Sequence, residues 1–409
     1  MTDKVSFIHC ADLHIDSPFK GLSNIPEQQF KDIRESTFIA LDNLVDLAIS
    51  KRVDFILMVG DLFDQNQQSI KAQSRLTRAF EKLRDNSIDV FISYGNHDHV
   101  NGRLFDYDYP NNVYVFESEH VDNFIFKKDD VPLATIYGFS YVEREVLDNK
   151  ANKFKTVTST PYQIAMLHGS VSSNTDHDVY APFQISDLTS KSFDYWALGH
   201  IHKRQQLNDE PLIVYPGNIQ GRSIKETGEK GCYHVEISET NRQLEFFPLQ
   251  YIRFEEITIQ ADHCKDPQEL EVLVEKTMKQ TSERFGKSIV RLHITSDSVL
   301  LEQWYRSSIL DEIIDFINEL NNREENWVFI QDVRVTYTGQ WDKQLIKSGH
   351  SFLGELLHSF DTDEIMQNDL QSLFTHRQAR KYLDHFTDEE KADIKQKAED
   401  LLIYQLLKE

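Results

Sequence analysis

The sequence is short of cysteine. Cys10, Cys232 and Cys264 are the only three in 409 residues, and no two stand close enough for a CxxC pair. A disulfide framework and a zinc knuckle are both disfavoured, and a reducing cytosol is the default compartment. Long apolar runs are missing as well. None approaches the ~20 residues that a helix needs to cross a bilayer. The start Met1-Thr2-Asp3-Lys4 leads into a strand-like segment with no signal-peptide architecture. A cytoplasmic chain with no membrane partner is expected. Positive charge is also scarce: 44 Lys and Arg face 67 Asp and Glu, for a net charge of −23. The deficit is spread out, with 10 basic and 17 acidic residues in 251–340, 9 and 14 in 341–409, and a balance of −11 in 1–250. No segment is basic overall, so any nucleic-acid contact must rest on bound cations, a few side chains or a partner.

Five short apolar runs, by contrast, all end in metal-binding chemistry. Val5–Cys10 leads to Asp12 and His14, and Phe55–Val59 to Gly60, Asp61 and Asp64. Val90–Tyr94 leads to Gly95, Asn96, His97 and Asp98. Ile164–Leu167 leads to His168, and Tyr195–Leu198 to Gly199, His200 and His202. The runs read as buried strands of a single sheet aiming oxygen and imidazole ligands at one point. Asp12 and His14 are two apart, as are His200 and His202, so an extended backbone would turn each pair to one side. Gly60 and Gly95 leave room for a sharp turn and a close approach. Asn96 offers a neutral oxygen. His97 would face substrate, with Asp98 orienting its imidazole. Phosphodiester hydrolysis needs an activated water and neutralised phosphoryl oxygens, which two divalent ions ~3.5–4 Å apart supply. Mixed nitrogen and oxygen donors suit Mn, Fe or Zn better than Mg or Ca.

Helical periodicity predicts an amphipathic helix over 27–51, carried by Phe30, Ile33, Thr37, Leu41, Leu44 and Ala48, and a second at about 69–85. The first half is therefore β-α-β-α-β with parallel strands. Hairpin-like strands follow from Val113 to Phe139, and further strands at 212–216, 231–237 and 244–250. Three domains are expected: 1–250, then a small α/β unit over 251–340, then a segment of short helices over 341–409.

The set D-x-H, G-D-x-x-D, G-N-H-D, H-G and G-H-x-H, in this order, resembles the calcineurin-like metallophosphoesterase superfamily. Ile8–Phe19 (IHCADLHIDSPF) and Tyr215–Ser223 (YPGNIQGRS) narrow the likeness to DNA repair exonucleases of the SbcD type, YhaO branch. The resemblance implies an α/β sandwich with a small capping domain and a helical C-terminal segment. It implies one metal on Asp12, His14, Asp61 and His202. It implies a second on Asp61, Asn96, His168 and His200, with manganese as the usual ion. His97 would stabilise the transition state or protonate the leaving oxygen. Asp64 stands where some members carry a histidine, so its role stays open. The resemblance also implies a homodimer and an SMC-like ABC ATPase partner that binds the C-terminal helices through its coiled coil.

Arg103, Lys203, Arg204 and Arg222, with Lys225 and Lys230, lie near the motifs. They read equally as solvated surface charge or as phosphate-backbone contacts to DNA. Three functions remain in view: a metal-dependent DNA exonuclease, a phosphodiesterase or phosphoprotein phosphatase on the same fold, and a scaffold without activity. Phosphatases of the superfamily typically carry Arg-Gly after the second motif and GNHE as the third. Here Gln65 and Asn66 follow Asp64, and the third motif ends in Asp98.

Overall fold

The computed structural model describes residues 4–19, 22, 25–64, 69–102, 108–172, 180–337, 352–359, 387, 390–396 and 398–399. The chain divides into two compact units. One comprises Met1–Ile257, Glu271–Leu292 and Ile313–Val333; the other comprises Thr258–Leu270, His293–Glu312 and Arg334–Glu409.

The first unit opens with β1 (Val5–Ala11), α1 (Glu27–Lys51), β2 (Phe55–Val59), α2 (Ile70–Arg84), β3 (Asp89–Ser93) and β4 (Val113–Val115). It continues with β5 (Asp122–Lys128), β6 (Val131–Gly138), β7 (Tyr162–His168), α3 (Ile185–Thr189) and β8 (Tyr195–Gly199). Then come β9 (Gln205–Asp209), β10 (Leu212–Tyr215), β11 (Gly231–Ile237) and β12 (Arg242–Pro248). The strands form two six-stranded sheets, β12-β11-β1-β2-β3-β4 and β5-β6-β7-β8-β10-β9. The five ligand-bearing runs are therefore not in one sheet: three end in the first sheet and two in the second. Periodicity shows that a strand is buried on both faces but carries no record of its pairing partner.

Side-chain alternation sorts the core into layers. Phe55, Leu57 and Val59 of β2 pack between the sheets with Ile164 and Met166 of β7 and Tyr195 and Ala197 of β8. Ile56 and Met58 point the other way, onto Leu41, Leu44 and Ala48 of α1 and Leu76 and Phe80 of α2. Ala165, Leu167, Trp196 and Leu198 cover the outer face of the second sheet. Burying each of the larger side chains contributes roughly 1.5–3 kcal/mol. The helices start and stop for local reasons. Ser69 caps α2, its hydroxyl accepting from the Ala72 N–H at 3.0 Å. α1 ends where Arg52 turns left-handed, at φ 54°.

The β1-β2-β3-β4 pairs are parallel, as are β6-β7-β8 and β8-β10. The carboxyl ends of β1, β2 and β3 thus lie side by side, and those of β7 and β8 do the same. His168, ending β7, reaches the Val59 carbonyl that ends β2, with Nδ1 3.1 Å away. Both sheets accordingly present their ligand-bearing ends on one side of the sandwich.

β13 (Arg253–Gln260), β14 (Ser288–Ser296) and β15 (Val328–Tyr337) form a three-stranded sheet. It is accompanied by α4 (Pro267–Phe285), α5 (Val299–Arg306) and α6 (Ile309–Asn321). Within the first unit, Phe254, Ile289, Trp327 and Phe329 pack on Phe19, Leu22, Ile25 and Ile33. In the second unit, α7 (Phe352–Ser359) is described, where apolar residues 352, 356 and 357 predict a helix. The apolar stretch expected over 401–407 lies outside the described residues. No helix among the described residues is long and apolar enough to cross a membrane.

Candidate metal centre

The ligand-bearing turns are not extended. Asp12, His14, Asp61 and His200 all have positive φ, at 51°, 43°, 50° and 97°. Each such conformation costs on the order of 1–3 kcal/mol in a residue with a Cβ. The pairs converge because the chain coils sharply at each strand end, a geometry that residue spacing alone does not predict. Backbone bonds hold the coils: the Asp12 N–H donates to the Gly60 carbonyl at 3.2 Å, and the His14 N–H to the Asp61 carbonyl at 3.0 Å. The His200 N–H donates to the Asp12 carboxylate at 3.0 Å.

Asp61 lies at the middle of the site. Its Oδ2 is 3.5 Å from His168 Nε2 and 3.9 Å from His14 Nε2. His168 Nε2 also lies 3.1 Å from Asn96 Oδ1. Asp12 Oδ1 is 3.9 Å from His168 Nδ1. The His200 ring packs edge-on against His168, with centroids 5.3 Å apart. His202 Nε2 lies 3.1 Å from His14 Nε2. Asp12, His14, Asp61, Asn96 and His168 are all buried. Three clusters bring potential donor atoms within 4.8 Å of one another: Asp12, His14 and His202; Asp12, Asp61 and His168; and His14, Asp64 and His97.

This donor set fits divalent ions. His168 donates Nδ1–H to a carbonyl, so its Nε2 turns a lone pair toward two oxygen acceptors. The His14 and His202 nitrogens also face one another, and His14 Nδ1 makes no hydrogen bond. Buried lone pairs pointing at lone pairs require a proton or a cation between them. Electrostatics reflect the same crowding. Burial pushes the Asp61 carboxyl up, but His168, His14 and His97 outweigh it and hold the group well below its ordinary range. Burial pushes the Asp12 carboxyl up, with Asp61 adding to the effect. Burial lowers His14 well below the ordinary imidazole value, and the Arg222 guanidinium lowers it further. Burial also acts to lower His168, yet Asp61 beside it raises the imidazole to about 9.

Glycines make the packing feasible. Gly60, at φ 75°, leaves the space filled by the His168 ring, and a Cβ there would collide with Nδ1. A Cβ on Gly95 would meet both Asp61 Oδ1 and His168 Nε2.

His97 is half-buried beside this set. Its backbone N–H donates to Asp61 Oδ1 at 2.9 Å, and its ring Nδ1 lies 2.8 Å from the Asp64 carbonyl oxygen. The expected orientation by Asp98 does not occur. Asp98 instead accepts from the N–H groups of Leu62 at 2.7 Å and Gly95 at 2.8 Å, joining the second and third ligand loops. Burial, then the nearby Asp61 charge, raises the Asp98 carboxyl to about 7.

The basic candidates have diverse placements. Arg222 ion-pairs with Asp64 and lies 3.7 Å from Glu226. Arg204 stacks on the Phe246 ring at 3.8 Å and lies 3.8 Å from Glu229. Lys230 is buried, with Nζ donating to the His202 carbonyl at 2.9 Å. Lys203 and Lys225 are exposed. Arg103 lies outside the described residues. The site also includes Glu226, absent from the motif reading, whose carboxylate accepts from His202 Nδ1–H at 2.7 Å. It lies 24 residues beyond its partner in a loop between β10 and β11, and no motif spacing marks it.

Residues 5–204 match the family model described as calcineurin-like phosphoesterase. The chain is similar to the uncharacterized metallophosphoesterase YhaO of Bacillus subtilis (strain 168), at 38% identity over 409 residues and 99% of each chain. It is similar to the DNA double-strand break repair protein Mre11 of Sulfurisphaera tokodaii, at 29% identity over 225 residues, 53% of this chain and 54% of that one. Mre11 of Sulfolobus acidocaldarius is 22% identical over 367 residues, 87% of this chain and 90% of that one. Full-length similarity and a converged set of carboxylate, amide and imidazole donors lead to one conclusion: the chain belongs to the calcineurin-like metallophosphoesterases.

Proposed function

We propose that this chain is a two-metal DNA exonuclease, acting in DNA repair, with manganese as its ion. The observation that carries the reading is the position of Asp61, whose one carboxylate lies between the imidazoles of His14 and His168. Asp12, His14, Asp61 and His202 would hold one ion, and Asp61, Asn96, His168 and His200 the other. Bound divalent ions supply an activated water and neutralise the phosphoryl oxygens. The protein does the rest. Asp61 fixes the spacing of the two ligand groups. The Asp64 carbonyl takes His97 Nδ1–H, so the doubly protonated ring would present Nε2–H to the leaving alkoxide and be left neutral after giving up that proton. The choice of DNA draws support from the Mre11 relatives, which are named for double-strand break repair.

A specific observation favours a second reading. Arg222, Arg204 and Lys230 are engaged by groups of this same chain, and the net charge is −23. Both are congenial to a smaller phosphodiester or a phosphoprotein. An assay with and without Mn2+ on single-stranded, duplex-end and hairpin DNA beside a generic phosphodiester separates the two. Hydrolysis of the generic ester alone would favour the second.

We further propose residues 251–340 as a capping unit that recognises DNA and 341–409 as the docking segment for a coiled-coil ABC ATPase, with homodimerisation through the catalytic domain. These assignments draw on the SbcD-type likeness. Full-strength ATPase binding by a chain ending near residue 340 would remove the docking role. A cytoplasmic setting accords with Cys10, Cys232 and Cys264, which are all buried and unpaired.

A further inference from the structure

Glu226 stands apart from every motif, yet both oxygens of its carboxylate accept hydrogen bonds. Oε1 accepts from His202 Nδ1–H at 2.7 Å. Oε2 accepts from the Arg222 backbone N–H at 2.7 Å and from Asn218 Nδ2 at 2.9 Å. Asn218 is fully buried and donates its second amide hydrogen to the Gln220 carbonyl at 2.8 Å, which fixes its orientation. The loop carrying Glu226 is held against the His200–His202 turn by Lys230, whose Nζ donates to the His202 carbonyl at 2.9 Å. The Arg222 guanidinium spans from Glu226 to Asp64, whose Oδ1 is 3.4 Å from His14 Nδ1. A chain of polar contacts therefore runs from the back of one imidazole to the back of the other, and their Nε2 atoms meet in front at 3.1 Å.

We propose that Glu226 is a positioning residue of the metal centre. It fixes His202 in the Nδ1–H tautomer, aims Nε2 at the ion shared with His14, and strengthens that nitrogen as a donor. This rests on the metal-centre reading above. A carboxylate behind a ligating imidazole raises the basicity of the ring and locks its rotation, and loss of such a partner typically weakens metal binding ~10–100-fold. Three hydrogen-bond donors and the Arg222 guanidinium, 3.7 Å away, face its two oxygens, as suits a carboxylate that accepts at both. Glu226→Gln keeps the shape but places an amide N–H where the carboxylate accepted from Arg222 or His202.

The test is equilibrium binding of Mn2+ to metal-free full-length protein, followed by the signal of free Mn2+. The wild type is expected to bind two ions. Glu226→Gln should weaken one by ~10-fold and leave the other unchanged, Glu226→Ala should approach the ~100-fold limit, and Glu226→Asp should recover part of the loss. A merely structural role would not move one ion selectively. Equal affinity for both ions in Glu226→Gln and wild type overturns the proposal and leaves the metal centre standing. A wild type that binds no Mn2+ overturns the metal centre and this proposal together. Should the variants fail to fold, the imidazole nitrogen NMR shifts of the wild type decide. A His202 signal protonated at Nδ1 supports the assignment, and one protonated at Nε2 in the metal-free protein contradicts it.

Discussion

His14 Nε2 lies 3.1 Å from His202 Nε2, although 188 residues separate the two in the chain. Neither ring has its other nitrogen exposed: His202 Nδ1 bonds Glu226, and His14 Nδ1 faces Asp64. Two neutral imidazoles in this arrangement repel unless a proton or a cation lies between them. Asp61 carries the matching role between His14 and His168. Asp61→Ala is expected to lose at least one of two bound Mn2+ ions, and His202→Ala one. Metal stoichiometry by elemental analysis after dialysis checks this, and two full equivalents in Asp61→Ala would remove the bridging role.

His97 meets the ligand set through its backbone N–H to Asp61 and an edge-on ring contact with His14, and it belongs to neither of the two ligand groups assigned to the ions. His97→Ala should therefore retain both ions. Losing a positioned general acid should cost roughly 10²–10⁴-fold in turnover. Parallel titration of Mn2+ and measurement of kcat on a phosphodiester decide it; near wild-type kcat would contradict the assignment.

Gly60 is required twice over, by its φ of 75° and by the His168 ring that fills its side-chain space. Gly60→Ala is expected to lose ~1–2 kcal/mol from the left-handed backbone alone, with a further loss from displacing His168. Urea denaturation of metal-free protein reads the stability, and Mn2+ binding reads the ring. An unchanged midpoint would show that the turn relaxes without cost.

His9 supplies a pH dependence away from the ligands. It is fully buried between the sheets, 2.9 Å from the Tyr195 hydroxyl and 3.1 Å from the Leu198 carbonyl oxygen. Burial lowers its imidazole to about 3, against ~6.5 in an unfolded chain. The folded state thus binds the proton less readily than the unfolded state. Stability from His9 is whole above pH ~6.5 and drains away as the pH falls toward about 3. Denaturation midpoints across this range should fall more steeply in the wild type than in His9→Gln, and parallel curves would refute the prediction.

Much of the site was legible because metal ligation demands particular side chains at strand ends, and strand ends follow apolar runs. Phe55–Val59 is a strand with the expected limits, and Glu27–Lys51 a helix with the expected limits. Asp12, His14, Asp61, Asn96, His168, His200 and His202 were visible as motif residues and lie together. Other features depend on contacts between distant segments and leave no local pattern. The split of the five runs between two sheets is one. The left-handed turns at Asp12, His14 and His200 are another, since a ligand spacing of two reads as extended strand. Asp98 reads as a partner for its neighbour His97, yet backbone N–H groups from two loops claim it. Arg222 reads equally as surface charge or as a phosphate contact, yet Asp64, 158 residues away, pairs with it. The edge strand β9 carries too few apolar residues to be seen, and α5, with eight residues, is too short for a helical period to stand out.

The most direct test of DNA as the substrate is release of nucleotides from end-labelled duplex and single-stranded DNA by purified full-length protein with Mn2+. Wild type should degrade DNA from an end in a metal-dependent manner, with the activity abolished by chelation and lowered roughly 10²–10⁴-fold in His97→Ala. Intact DNA in every form, under conditions where the same preparation hydrolyses a generic phosphodiester, would contradict it.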